Sequence, residues 1–123
     1  MSDQPDESFT YFQEGRALLD AGDLRGAVVK FEVSIARRPH FKALELLGEA
    51  FLRLGEPQRA IVPLAAATTL NAQVRAPSLL AEALLAVGDR VNAHEAAKLA
   101  LARDGTNKSA RRIFDETADD SAD

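Results

Sequence analysis

The sequence predicts an all-α solenoid of three helix pairs, closed by a capping helix. Three Gly-acidic pairs, Gly22-Asp23, Gly55-Glu56 and Gly88-Asp89, stand at a fixed interval of 33 residues. Other residues keep the same register: Ala17, Ala50 and Ala83; Leu19, Leu52 and Leu85; Ala27, Ala60 and Ala93. Between the pairs, apolar residues recur at helical spacing rather than alternating as in strands. A period of this size marks stacked supersecondary units. Such stacks present long surfaces to partners and rarely carry chemistry of their own.

Unit one spans 8–40. Phe9, Phe12, Gly15, Leu18 and Leu19 lead to the turn at Gly22, and Leu24, Ala27, Val28, Phe31 and Ile35 follow it. Gly22 supplies the positive φ that ends a first helix, and Asp23 is placed to cap a second. Unit two, 41–73, repeats this with Leu44, Leu47, Gly48 and Phe51, then Ala60, Leu64 and Ala67. Unit three, 74–106, has Leu80, Ala81 and Leu84, then Ala93, Ala97 and Ala100.

These runs carry a specific resemblance. Tyr11-x2-Glu14-Gly15-x2-Leu18, then Ala27-x3-Phe31 and Pro39, resembles the tetratricopeptide-repeat (TPR) signature. Unit two matches through Leu44-x2-Leu47-Gly48-x2-Phe51 and Ala60-x3-Leu64, with Ala72 in place of the closing proline. Unit three departs most: Ala81, Ala97 and Gly105 replace the usual glycine, larger apolar residue and proline. Small residues at 15, 48 and 81 let paired helices approach closely. Ankyrin repeats share the period, but no Thr-Pro-Leu-His element is present and the helices here are longer. The resemblance covers about residues 8–114 and implies a right-handed TPR-like α-solenoid.

The ends are expected to differ from the body. Residues 1–7 read as a flexible polar tail. A bare last repeat needs a cap, and 107–117 fits one, with Ala110, Ile113 and Phe114 as its apolar stripe. The acidic stretch 118–123 is expected to be disordered. A chain with Met1 and polar ends is expected to be a complete short protein. Pro57 opens a helix and Pro77 lies in a first turn, where a missing N–H matters little. Pro63 sits inside a helix and predicts a kink or a restart.

Composition bounds the function. Hydrophobic residues make up 46% and charged residues 28%, and there is no cysteine. Disulfides, thiolate zinc sites and an acylated-cysteine anchor therefore have no residue to use. Net charge is −4 and pI about 5.2, against a nucleic-acid surface. The basic run Arg37-Arg38-Pro39-His40-Phe41-Lys42 reads as cations at a helix C-terminus. No segment is apolar over the roughly 20 residues a membrane span needs, and the N-terminus lacks a signal-peptide core. The cytoplasm is the expected location. His40 and His94 read as surface or packing residues, no metal or cofactor motif is present, and no enzyme activity is expected.

The resemblance also implies where a partner binds. First helices of successive TPR units line a concave groove. Its positions here are Phe9, Phe12, Gln13, Arg16, Leu19 and Asp20; Lys42, Glu45, Leu46, Glu49, Leu52 and Arg53; Arg75, Ser78, Leu79, Glu82 and Leu85. Phe9, Phe12, Leu46 and Leu79 form the expected apolar stripe, with Arg16, Lys42, Glu45, Glu49, Arg75 and Glu82 bordering it. The basic clamp with which one TPR subclass holds a chaperone C-terminus is absent: Phe12, Arg16, Leu46, Arg75 and Leu79 occupy its places. The expected function is non-enzymatic binding of another protein, as adaptor, scaffold or small bacterial chaperone-like protein, through a peptide or helix in the groove. The alternative is a homo-oligomer assembled through the alanine-rich back of unit three (Ala93, Ala96, Ala97, Ala100) or the edge of unit one.

Overall fold

The computed structural model describes residues 6–71 and 75–121. Residues 1–5, on which the expected flexible tail falls, residues 72–74, with Ala72 in the place of the closing proline, and residues 122–123 of the expected disordered end lie outside the described residues. The elements are α1 (Glu7–Asp20), α2 (Leu24–Arg37), α3 (Phe41–Arg53), α4 (Pro57–Leu70), α5 (Arg75–Ala86), α6 (Arg90–Arg103), α7 (Lys108–Glu116) and a short turn, α8 (Ala118–Ser121). Helices pair as α1/α2, α3/α4 and α5/α6, each pair packs on the next, and α7 closes the stack on α6 and α5.

One turn chemistry builds all three pairs. Gly22, Gly55 and Gly88 have φ of 85°, 75° and 88°. At each, the following N–H returns five residues: Asp23 to Leu18 (2.8 Å), Glu56 to Phe51 (2.9 Å) and Asp89 to Leu84 (2.9 Å). This satisfies carbonyls that a helix end leaves free. Asp23 and Asp89 then cap α2 and α6 by accepting from Gly26 and Asn92. Glu56 does not cap α4. Its carboxylate accepts from Arg25 of the preceding unit at 2.6 Å and from Arg59 at 3.0 Å. Arg25's hydrogen bond, with Arg59 beside it, holds that carboxyl below the usual range.

Helix spacing within each pair depends on one position. A Cβ on Gly15 would fall 2.7 Å from the Phe31 ring, and one on Gly48 would fall 2.3 Å from Leu64. Ala81 is the equivalent in unit three, and Ala97, in the same buried cluster, stands where units one and two carry Phe31 and Leu64. The departures of unit three from the repeat pattern therefore compensate each other.

Three boundaries differ from the sequence expectation. α1 begins at Glu7, inside the expected tail, because Asp6 accepts from the Ser8 N–H and caps it. Residues 118–121 continue as a helical turn rather than beginning a disordered tail. α4 runs unbroken through Pro63, which is buried, so no restart occurs there.

Both ends are finished chemically. Thr10, Tyr11, Glu14 and Lys30 in unit one correspond to Ala43, Leu44, Leu47 and Pro63 in unit two, all four of which are buried. In unit one, Lys30 pairs with Glu14 at 2.9 Å, and the Tyr11 ring lies between Lys30 (5.4 Å) and Arg37 (5.3 Å). That hydrogen bond to Glu14 raises the Lys30 pKa above its usual value. Arg37 and Arg38, from the basic run, reach Glu7 (2.7 Å) and Asp6 (3.0 Å). At the other end, Ile113 and Ala110 are fully buried on unit three. The Thr117 hydroxyl donates to the Ile113 carbonyl at 2.6 Å. His94 Nδ1–H therefore donates to Thr117 Oγ1 at 2.9 Å, and the imidazole stacks on Phe114 at 4.3 Å. Arg90 caps α7 by donating to the Glu116 carbonyl at 2.8 Å.

The Asp6 cap gives the fold one pH-sensitive contribution. Bonds from the Ser8 hydroxyl and N–H, helped by Arg38, hold its carboxyl below the ordinary 3.8. A depressed pKa contributes stability that is complete above the unfolded value and lost as pH falls through the folded one. The urea-midpoint difference between wild type and Asp6→Ala is expected to be constant from about pH 7 to 5 and to shrink below about pH 4. A difference that holds constant into strong acid would remove the charged cap from the account.

Candidate functional site

The concave face divides into two chemically different halves. In unit one, Phe9 is 56% exposed. Its ring lies 6.4 Å from that of Phe12, which is half-buried and packs 6.1 Å from Phe31. The Arg16 guanidinium sits 5.9 Å from the Phe12 ring, within cation–π range. Arg16 has no ion-pair partner among the described residues. Cavities of about 240 and 350 Å³ share Phe9 and Phe12. The first is also lined by Asp6, Ser8, Ser34, Arg38, His40 and Ala43, and the second by Gln13, Arg16, Ala17 and Asp20.

The first cavity exists because the N-terminus of α1, the C-terminus of α2 and the N-terminus of α3 meet there. Ser34 Oγ donates to the Ser8 carbonyl at 2.7 Å and joins α2 to α1. His40 Nδ1 accepts from the Lys42 N–H at 3.3 Å and caps α3, while its ring meets Phe12 edge-on at 6.0 Å. The spacing of groove positions did not point to His40, Ser34 or Ala43. The Pro39-His40 turn was the available signal.

Along units two and three the concave charges Lys42, Glu45, Glu49 and Arg75 pair with one another. Glu45 is only 1% exposed and takes Lys42 at 2.9 Å and Arg75 at 3.5 Å, both on Oε2. Its buried Oε1 makes no hydrogen bond to the described residues. Arg75 also pairs with Glu49, which has Arg53 at 3.8 Å. Glu82 is half-buried and accepts from Ser109 of the cap at 3.3 Å.

These positions correct the expected stripe. Leu46 is 6% exposed and lies in the core with Leu47 and Ala50. Glu45, Leu19 and Ser78 are buried as well. Leu79 is half-buried against the same core. The reason is geometric: α1, α3 and α5 touch their successors, so mid-groove side chains on α3 are covered from both sides. The expected oligomerisation stripe is also filled, since Ala93, Ala96, Ala97 and Ala100 are all buried with Ala110 and Ile113.

Among the described residues, no group of three or more His, Cys, Asp or Glu is placed to hold a metal. No described helix is long and apolar enough to cross a membrane.

No family model matches the sequence, and no curated protein matches it. Solved structures do resemble it. The second TPR domain of human RPAP3, in complex with an HSP70 peptide, is 16% identical with TM-score 0.84 over 90% of this chain and 94% of that one. The Sgt2 TPR domain from Aspergillus fumigatus is 20% identical with TM-score 0.81 over 93% and 78%. MamA from Desulfovibrio magneticus RS-1 is 25% identical with TM-score 0.83 over 94% and 68%. The chain thus has the tetratricopeptide-repeat fold, a right-handed α-solenoid of three helix pairs and a capping helix.

Proposed function

We propose that this chain is a protein-interaction module that holds a segment of another protein against the concave face of unit one. One observation carries the reading: the exposed Phe9, the half-buried Phe12 and the unpaired Arg16 border two cavities, while Lys42, Glu45, Glu49 and Arg75 farther along the concave face pair with one another. Phenylalanine and arginine are both enriched at the cores of protein interfaces. The similarity to a peptide-bound TPR domain supports a peptide or helix as ligand. The ligand's chemistry differs from a chaperone C-terminus, because Leu46 is buried and Arg75 is held by Glu45 and Glu49. An apolar side chain seated on Phe9 and Phe12, next to a carboxylate for Arg16, fits the surface.

The test is affinity capture with quantitative mass spectrometry. Wild type is compared with Phe9→Glu, Arg16→Glu and a convex control, Val29→Lys. One partner is expected to be retained by the control and depleted roughly tenfold or more by each concave variant. Equal recovery by all four proteins would place binding elsewhere.

A further inference from the structure

The convex back carries an apolar surface that neither end cap nor the groove explains. From Ala60 to Asn71, α4 and its C-cap contain no charged residue, although α4 lies in the middle of the back. Val62 on its crest is 76% exposed and Leu70 57%. Beside it, between α4 and α6, runs an open groove of about 360 Å³ whose walls are Ile61, Ala65, Leu80, Leu84, Ala96 and Leu99, with Asn92 and Glu95 of α6 at its polar edge.

The internal repeat explains why this groove is open. At the joint of units one and two, Arg59 lies 4.6 Å over the Phe51 ring and covers the floor. One repeat later, the equivalents are Asn92 and Leu84. Both residues bond the acidic residue three before them, Arg59 to Glu56 at 3.0 Å and Asn92 to Asp89 at 2.8 Å, but the short Asn92 has no guanidinium to lay over Leu84.

Charge selects the occupant. Glu95 and Lys98 stand three residues apart on the exposed side of α6, and neither makes an ion pair with any described residue. Such a pair is complementary to itself about a two-fold axis. An antiparallel α6–α6 contact centred between them sets Glu95 against Lys98 of the second copy, twice. The same pairing carries Leu99 of the second copy toward Asn92 and Leu84, where Arg59 lies in the preceding repeat. Leu99 is 38% exposed and free to serve as that ridge.

We propose that the α4–α6 groove is a homodimer interface, closed by Leu99 of a second copy and registered by reciprocal Glu95–Lys98 pairs. It lies on the convex back and is independent of the concave surface.

The experiment is sedimentation equilibrium of the full chain from about 5 to 500 µM, with circular dichroism to verify folding. Wild type is expected to form a reversible dimer, and Leu99→Arg to stay monomeric. Lys98→Glu and Glu95→Lys are each expected to raise the dimer dissociation constant about tenfold, since each opposes like charges. The double variant Glu95→Lys/Lys98→Glu restores opposite signs and is expected to return the constant to within about twofold of wild type. A wild type that is monomeric throughout overturns the proposal. So does a dimer that all four variants form with wild-type affinity.

Discussion

Gly48→Ala is expected to destabilise the chain by about 1–3 kcal/mol, yet to stabilise it once Leu64 is also alanine. The added Cβ would lie 2.3 Å from Leu64 Cγ and 2.4 Å from its Cδ2. Leu64 is fully buried, so it cannot swing into solvent, and the helices must separate. Leu64→Ala alone leaves a void and is expected to cost about 2–5 kcal/mol. In that background the alanine at 48 occupies part of the void and gains about 1 kcal/mol of helix propensity over glycine. The double variant reproduces the Ala81/Ala97 arrangement of unit three. Urea unfolding of the four proteins completes the cycle, and a coupling of about 1–3 kcal/mol in the compensating sense is expected. Additive changes would mean that α3 and α4 are not held apart at this contact.

The second large effect is at the cap. Ile113→Ala is expected to cost about 2–5 kcal/mol, because the side chain is fully buried and its loss opens the terminal core. The damage should be local, since each unit of a stack is stabilised mainly by its neighbours. Hydrogen exchange is therefore expected to accelerate in α6 and α7 while α1 and α2 keep their protection. Uniform acceleration along the chain would contradict the nearest-neighbour picture. Phe114 over His94 and the His94–Thr117 bond hold the same helix end from the other side.

The repeat period and the three glycine turns made the architecture legible before any coordinates. Each turn uses only local chemistry: one residue at positive φ and one backbone bond reaching back five residues. The cap was legible for a similar reason, since Ala110, Ile113 and Phe114 form a short stripe that needs a partner. Burial across the groove was not legible. Leu46 and Gln13 occupy the same place in their repeats, yet Leu46 is buried and Gln13 exposed, because α3 has neighbours on both sides and α1 on one. A periodic pattern cannot separate an inner helix from an end helix. The ion-pair set around Glu45 was hidden because Lys42 and Glu45 lie in one repeat and Arg75 in the next. The alanines of α6 were misplaced on the surface because small apolar residues fit either side of a helix. Here they pack in one cluster with Ala81 and Leu84 of α5 and with Ala110 and Ile113 of α7.

The measurement that tests the account most directly is a titration of isotope-labelled chain with the minimal binding segment of the captured partner, followed by backbone amide NMR. The account predicts shifts concentrated in α1 around Phe9, Phe12 and Arg16, and at the start of α3 around His40 and Ala43, with α5 and α6 silent. Shifts centred on Arg75, Leu79 and Glu82, or on the convex helices, with α1 unmoved, would contradict it.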